Sequence, residues 1–466
     1  MPLDLPKLGV DFEAWGHWWL PDKESDVVPG RLSSSGGNLE LRLLGQFDGI
    51  NVNRSPLAVP VIHGVAEAKV FTLWDAIQGQ FSFQMPGTVE QRFEHMRVLV
   101  GRHVGEPATV RFASLRLAAA NLGPWSSLPP IEVTRGAENV EGAAFRVRAN
   151  RSREIALPDH GLDITIDTSI STKNEEFCAY GFEVTPSIHV EVHSSRQLDE
   201  FMRLAESLRR VFTLLIGVEF VAERVSVDVK GAAKTERSLD IVVEHAPPEE
   251  VKPLHVSEVL APFPILQEKA QQIFSRWFAE EPRIKDPVDL FMATVRHESL
   301  RTHVELTTLT QALETFDRNV NGSVLMTKGE FDPIKKALID AIPKDAPDTI
   351  RGSIHDRLSH AYEFTFSQRI GRLLALFDET LLDLLGIDPS TFPAAVSKAR
   401  NAFTHWSQDS AKPMLSGADL SNLTSKLKAF TRLVLLSHLG VPPGAIVERM
   451  IQNRYLYLPE WHKVQH

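Results

Sequence analysis

The chain has 466 residues, of which 43% are hydrophobic and 24% are charged, so it has room for two or three domains and is too apolar to be disordered throughout. Its formal net charge of -10 argues against a protein that coats nucleic acid without specificity. The single cysteine, Cys178, excludes an internal disulfide and a zinc site built from cysteines alone, which fits a reducing compartment.

No segment predicts export or membrane insertion. The N-terminal residues lack the basic region and apolar run of a signal peptide. The longest apolar stretches, such as 211–221 and 373–385, are broken by charges well before the roughly 18 residues that a membrane-spanning helix needs. We therefore expect a cytoplasmic protein without a transmembrane span.

Alternating patterns predict strands in the first half of the chain. Apolar side chains alternate, or nearly alternate, with polar ones over 39–44, 108–112, 188–193 and 225–229. A period of two, with β-branched residues and glycine-rich turns, is typical of half-buried antiparallel strands. One helix is expected over 195–215, where apolar residues recur at helical spacing and Ser195 is placed to cap the first turn.

The pattern changes after a proline-rich stretch. Five prolines within 246–264 predict a linker or an extended crossing. Beyond it a period of 3.6 predicts helices over 264–280, 287–319, 331–342, 347–376, 391–406, 417–439 and 443–452. The sequence thus predicts an α+β protein, with a β-rich N-terminal domain (1–245), a linker (246–264) and an all-α helical bundle (265–466).

Charge is divided unevenly between the two halves. Residues 1–250 carry 25 basic and 35 acidic side chains, whereas residues 251–466 carry 25 of each. The last part of the chain, 391–466, carries 9 basic and 4 acidic side chains. The acidic surplus is therefore N-terminal, and the local basic excess lies in the last part of the chain.

The predicted helix 391–406 carries Arg400, Asn401 and His405. Asn401 and His405 are four residues apart and share one helix face, and Arg400 begins the adjacent row, about 100° round the helix. Histidine can take either proton role near neutral pH, arginine can hold a phosphate through paired donors, and asparagine can orient either group. The set suits metal-independent RNA cleavage, in which a base activates the ribose 2′-hydroxyl. We expect neither a cofactor nor a metal ion.

One histidine in each chain supplies only half of an acid–base pair. Two copies that meet in a homodimer, or in a higher homo-oligomer, through the helical domain would supply the second. The spacing alone also permits a structural interpretation, a surface arginine beside a partly buried histidine.

The motif and the first half of the chain both resemble one family. Arg-Asn-x-x-x-His resembles the Arg-x(4–6)-His motif of HEPN-superfamily ribonucleases, and it falls near the end of a predicted bundle, as in that fold. Residues 10–230 resemble the ApeA N-terminal domain, with matching segments in the family's order. These segments are GHWWLP (16–21), PGRL (29–32), LELRLLG (39–45), IHG (62–64), VFTLW (70–74) and LAAANLGPW (117–125).

The resemblance implies an anti-phage abortive-infection effector. Such a HEPN ribonuclease is held inactive until infection and then stops translation by cutting host RNA, with tRNA as the substrate that kinship implies. Arg400, Asn401 and His405 carry over as catalytic residues. Glu314 is placed to match the family's glutamate on an early bundle helix, although an exposed salt-bridge partner is the favoured interpretation. The β-rich domain would sense an unknown phage-derived trigger or restrain the nuclease.

Three other interpretations stay open. The bundle could be a non-catalytic dimerisation or RNA-binding module of a defence complex. His189, Glu191 and His193 share one face of a predicted strand and could hold a divalent metal ion, although a solvated sheet face is the more common meaning of this pattern. An aromatic platform for bases could be formed by Trp15, Trp18 and Trp19, although packing into the sheet is favoured.

Overall fold

The fold has a β-rich first part and a helical second part, which confirms the α+β prediction. The computed structural model describes residues 8–47, 57–79, 82–83, 89–128, 131–135, 143–147, 151–175, 179–232, 238–244, 254–296, 300–404, 415 and 417–453. The chain divides into two compact units. The first contains Met1–Phe212 and Phe220–Gln271, and the second contains Thr213–Glu219 and Gln272–His466.

Among the described residues, fourteen strands form one antiparallel sheet and two form a separate hairpin. The strands are β1 (Phe12–Trp19), β2 (Val28–Ser35), β3 (Asn38–Leu44), β4 (Ala58–Ala66), β5 (Lys69–Gln78), β6 (Ser82–Phe83), β7 (Val89–Glu94), β8 (Arg97–Val100), β9 (Phe112–Ala118), β10 (Ile131–Arg135), β11 (Ala143–Val147), β12 (Arg153–Leu157), β13 (Leu162–Glu175), β14 (Ala179–Arg196), β15 (Arg224–Val229) and β16 (Ser238–Val242).

Part of the large sheet closes into a six-stranded barrel, in the order β5-β4-β1-β2-β3-β7 and back to β5. The closure depends on β5, because its first half pairs with β8 and its last residues, Ile77 and Gln78, pair with β7. His95 lies between β7 and β8 and has a φ of 52°, so the chain bends there. Strand β7, before the bend, belongs to the barrel, and strand β8, after it, belongs to the open part of the sheet.

Alternating apolar side chains fill the barrel, as the period of two predicts. Leu39, Leu41 and Leu43 of β3 are all buried. Trp18 is fully buried, and its partner in the register is Gly64 on β4. A Cβ atom at residue 64 would lie 2.1 Å from the Trp18 ring, so only glycine leaves room for the indole. Two segments of the family resemblance thus meet inside the barrel.

The open side of the sheet continues as β8-β16-β15-β9-β14-β13-β12. It confirms the strands predicted over 188–193 and 225–229, which lie in β14 and β15. The strand predicted over 108–112 is wrong, because residues 107–109 form a turn and β9 begins at Phe112. Alternation over five residues did not distinguish this turn from a strand.

The described helices are α1 (Leu122–Ser126), α2 (Leu198–Ile216), α3 (Phe263–Leu266), α4 (Ala270–Arg296), α5 (Thr302–Asn321), α6 (Lys328–Asp340), α7 (Asp348–Leu358), α8 (Phe366–Leu374), α9 (Glu379–Leu384), α10 (Phe392–Thr404), α11 (Gly417–His438) and α12 (Pro443–Gln452). Helix α2 confirms the helix predicted over 195–215. Ser195 is not its cap, because that residue still belongs to β14. The N–H of Gln197 donates to Glu200 Oε2 at 3.0 Å where the helix begins.

The proline-rich stretch belongs to the first unit, and the structure describes it from residue 254 onward. Val259, Leu260, Ala261 and Phe263 are all buried there. Phe263 packs edge-on against Trp125, with ring centroids 5.5 Å apart. Residues 246–253 lie outside the described part of the chain.

Several helix boundaries differ from prediction. The break predicted between 280 and 287 is wrong, because α4 runs through Pro282 and Pro287. The helix predicted over 287–319 is divided, since α4 ends at Arg296 and α5 begins at Thr302. The helix predicted over 347–376 is likewise divided into α7 and α8.

A buried charge cluster joins α5 to α8. The side chains of Asp317 and Arg369 are fully buried, and Arg369 Nη1 lies 3.1 Å from Asp317 Oδ2. Arg372 Nε donates to Asp317 Oδ1 at 3.2 Å. Because an unpaired charge in such a place is costly, the cluster fixes these two helices against each other. Among the described residues, no helix is long and apolar enough to cross a membrane.

Candidate active site

Helix α10 presents the predicted motif beside a buried stripe. Phe392, Val396 and Ala399 face the core, as the period of 3.6 predicts. Arg400 has 30% of its side chain exposed, and Asn401 is exposed. His405 lies outside the described residues, so the structure places two of the three predicted catalytic residues.

The guanidinium of Arg400 contacts two other helices of the bundle. Its Nη2 donates to Glu314 Oε2 of α5 at 2.9 Å. Its Cζ lies 5.1 Å from the ring centroid of Phe366, the first residue of α8. The carboxylate fixes the direction of the guanidinium and the ring supports its flat face, so Arg400 is held in place where α5, α8 and α10 meet.

Glu314 bridges two arginines. Its Oε1 accepts a hydrogen bond from Arg318 Nη2 at 3.1 Å, while its Oε2 accepts one from Arg400 Nη2. Arg318 in turn lies 3.6 Å from Glu363 Oε2, and His360 Nδ1 lies 2.9 Å from the other oxygen of Glu363. Interpreting Glu314 as a salt-bridge partner is confirmed, but calling it exposed is wrong, since only 13% of its side chain is accessible.

A capping box begins α8 at the residue that supports Arg400. Thr365 Oγ1 accepts from the Gln368 N–H, and Gln368 Oε1 accepts from the Thr365 N–H at 2.9 Å. The sequence signature, Thr-x-x-Gln at 365–368, indicates that a helix begins here, whereas helical periodicity alone predicts one long helix over 347–376. It fixes the start of the helix and therefore the position of Phe366.

An imidazole from another helix lies near the end of α10. His303, in the first turn of α5, stacks on Phe403 with ring centroids 5.6 Å apart and an interplanar angle of 29°. His303 and Phe403 are a hundred positions apart in sequence, so no local pattern links them. His303 is therefore a candidate that only the fold identifies.

The strand face with His189, Glu191 and His193 does not form a metal site in the described structure. His193 Nε2 lies 3.0 Å from Asp163 Oδ2. Burial, followed by the nearby charge of Arg116, lowers the pKa of His189. The described residues hold no group of three histidine, cysteine or acidic side chains suited to a metal ion.

The three tryptophans of β1 do not form a single platform. Trp18 is inside the barrel, whereas Trp15 is 53% exposed and has Arg31 Cζ 5.7 Å from its ring centroid. Trp19 packs edge-on against His103, with centroids 5.1 Å apart. Packing into the sheet, the favoured interpretation, is confirmed for Trp18 and Trp19.

Comparison with known proteins gives two adjacent family matches. Residues 13–277 match the ApeA N-terminal domain 1, which is more than half of the chain. Residues 307–444 match the Apea-like HEPN domain and include most of α5 and all of α8 and α10. No curated protein and no solved structure matches the chain. From the extent of the first match and the order of the two, the chain belongs to the ApeA-like group of HEPN-superfamily proteins.

Proposed function

We propose that the protein is a metal-independent endoribonuclease of the HEPN type, which acts in the cytoplasm as an abortive-infection effector against phage. The Apea-like HEPN match supports a nuclease or defence role in general. The observation that carries the finer proposal is the ion pair between Arg400 and Glu314, which holds a partly exposed guanidinium beside the exposed Asn401.

In this mechanism the three residues of the motif have separate tasks. His405 accepts the proton of the ribose 2′-hydroxyl or donates one to the leaving 5′-oxygen. Arg400 stays charged and stabilises the negative charge that develops on the phosphate. Asn401 orients the phosphate or the imidazole. The product ends are a 2′,3′-cyclic phosphate and a 5′-hydroxyl, and host tRNA is the proposed substrate.

The position of Arg400 agrees with this task. Glu314 and Phe366 hold the side chain, so little conformational entropy is lost when a phosphate binds. Glu314 shares its negative charge between Arg400 and Arg318, so the carboxylate orients the guanidinium of Arg400 without being committed to it alone.

The test is expression of the full chain with Arg400→Ala or His405→Ala, and with Lys398→Ala as the control. Lys398 is an exposed cation on the same helix, about 200° round from Arg400. We expect growth arrest and RNA fragments with 2′,3′-cyclic ends from the parent and from Lys398→Ala. Both motif variants should lose cleavage by roughly 100-fold or more.

The same variants distinguish the alternative, a non-catalytic dimerisation or RNA-binding module. If His405→Ala keeps phage resistance and the parent produces no RNA fragments, the module is favoured and the nuclease proposal is contradicted. Cleavage by the purified parent should persist in EDTA, because no step uses a metal ion. Loss of cleavage on chelation would contradict the proposed chemistry.

A further inference from the structure

The first unit contains a basic cleft of about 340 Å³ between the segment that follows β8 and the ends of β9 and β15. Arg102, His103, Arg111 and Lys230 line it together with residues 104–105, 109–110 and 229, and no lining residue is acidic. This concentration of positive charge lies in the half of the chain that carries the acidic surplus. The cleft is therefore a local exception to the charge of its own domain.

The loop that carries Arg102 and His103 is held by side chains from the sheet. Thr72 Oγ1 donates to Arg102 O at 3.3 Å and accepts from Val104 N at 3.2 Å. Trp74 Nε1 donates to Gly105 O at 3.0 Å. Thr72 and Trp74 are both fully buried, so the loop is anchored rather than free to reorganise.

Stacking between His63 of β4 and His103 of the loop ties the same loop to the barrel. His63 and His103 stack with ring centroids 4.4 Å apart. His63 Nε2 lies 3.0 Å from Val104 O, and His103 Nε2 lies 3.2 Å from Gly64 O. Burial lowers the pKa of His103, so this ring is uncharged at neutral pH and the fixed charge of the cleft comes from the arginines and the lysine.

The three cations have no carboxylate partner among the described residues. Arg111 Nη1 donates to the carbonyls of Ala108 and Val110, at 2.8 and 3.1 Å, which fixes the guanidinium at the rim. No described acidic side chain forms an ion pair with Arg102, Arg111 or Lys230. Glu106 lies in the same stretch of chain, but its side chain is exposed and does not line the cleft. Three cations that line one cleft and have no ion-pair partner among the described residues favour an anionic ligand.

We propose that this cleft binds a small phosphate-bearing ligand, of the size and charge of a nucleoside diphosphate. The volume lies at the lower end of small-molecule sites, which run from roughly 300 to 1,000 Å³. Arginine and lysine near an anchored loop are the usual partners of phosphate oxygens. Two or more negative charges on the ligand would match three cations better than a single carboxylate would.

The experiment is calorimetric titration of the purified full chain with ADP, inorganic pyrophosphate and adenosine, at fixed ionic strength. The variants are Lys230→Glu and Arg102→Glu, with Arg203→Glu as the matched control, since Arg203 is an exposed cation on α2 of the same unit. We expect saturable binding of ADP and pyrophosphate but not of adenosine. Both cleft variants should weaken it by at least roughly tenfold, and the control should not.

Arg400→Ala serves as a second control, because it separates this site from the proposed nuclease centre. Binding unchanged in Arg400→Ala supports an independent site, whether or not the chain cleaves RNA. The proposal is overturned if neither phosphate ligand binds, if adenosine binds equally well, or if Lys230→Glu and Arg102→Glu leave binding unaltered. Binding only of a single-stranded DNA oligonucleotide, lost in the cleft variants, would replace the small ligand with a nucleic-acid surface.

Discussion

Arg400 has two neighbours that its own motif does not contain, the carboxylate of Glu314 and the ring of Phe366. Periodicity correctly predicts that Ala399 faces the core while Arg400 lies beside it, because both depend on residues within one helix. The partner of the guanidinium is 86 positions away in sequence, so no local pattern can identify it. Only the packing of α5 against α10 makes Glu314 the residue that orients Arg400.

This arrangement predicts that Glu314 acts through Arg400. In Glu314→Gln the ion pair is lost although the shape and one acceptor oxygen remain, so the guanidinium should be less well positioned. We expect kcat for RNA cleavage to fall roughly ten- to 100-fold, with a smaller change in KM. The measurement is steady-state cleavage of a labelled RNA by the purified variant.

Arg318→Ala is the matched control for that variant, because it removes the other partner of the same carboxylate. If Glu314 positions Arg400, Arg318→Ala should retain most of the activity while its effect on stability is similar. Equal losses of kcat in the two variants would mean that Glu314 merely stabilises the bundle.

Local sequence signals predicted which segments are helical better than they predicted where each helix begins and ends. The continuous course of α4 through Pro282 and Pro287 could not be read from the sequence, since a proline inside a helix usually costs about 3 kcal/mol. Buried side chains on both sides of the prolines, such as Trp277, Ile284 and Phe291, bind the whole helix to the core. Tertiary packing therefore outweighs the local penalty.

Local sequence patterns also predicted the strands better than they predicted how the strands pair. Alternation predicted β3, β14 and β15 well, because one face of each strand is buried. Closure of the barrel depends on the pairing of Ile77 and Gln78 with β7 and on the bend at His95, which are properties of the assembled sheet. No sequence pattern predicted this pairing or this bend.

The end of α11 predicts a pH dependence of the helical unit. His438 has 14% of its side chain exposed, packs edge-on against Phe316 and has its Nε2 3.4 Å from Glu280 Oε2. Burial is the main cause that lowers its pKa, followed by Arg276, and Glu280 only partly offsets them. The unfolded chain therefore binds the proton more readily than the folded one, and stability should fall as the pH drops below about 6.5 and continue to fall through the lower folded pKa.

His438→Gln removes this titration and keeps a polar side chain near Glu280. We expect the free energy of opening of α11, measured by hydrogen exchange, to depend less on pH between roughly 7.5 and 5.5 than in the parent. His355→Gln is the control, because 54% of the His355 side chain is exposed. If the free energy of opening in His438→Gln depends on pH as steeply as in the parent, groups other than His438 cause the pH dependence.

At the scale of the whole molecule, the proposed chemistry needs one more proton-transfer group than a single copy of the motif supplies. HEPN domains commonly dimerise, so we propose that a second chain brings the second His405. Excess His405→Ala chain added to the parent should then lower the parent's RNA cleavage, because mixed dimers replace active ones. The rate per chain should also fall on dilution, measured with cleavage and sedimentation on the same samples.

His303 could instead supply the second proton-transfer group within one chain, since its ring stacks on Phe403 at the end of α10. If this imidazole were the second proton-transfer group, His303→Ala would remove cleavage as completely as His405→Ala, and excess His405→Ala chain would leave the parent's rate unchanged. A dimeric site requires the opposite pair of results, namely activity retained in His303→Ala and inhibition by the inactive chain. Because the two arrangements differ in both measurements, a single set of mixtures decides whether the active unit is one chain or two.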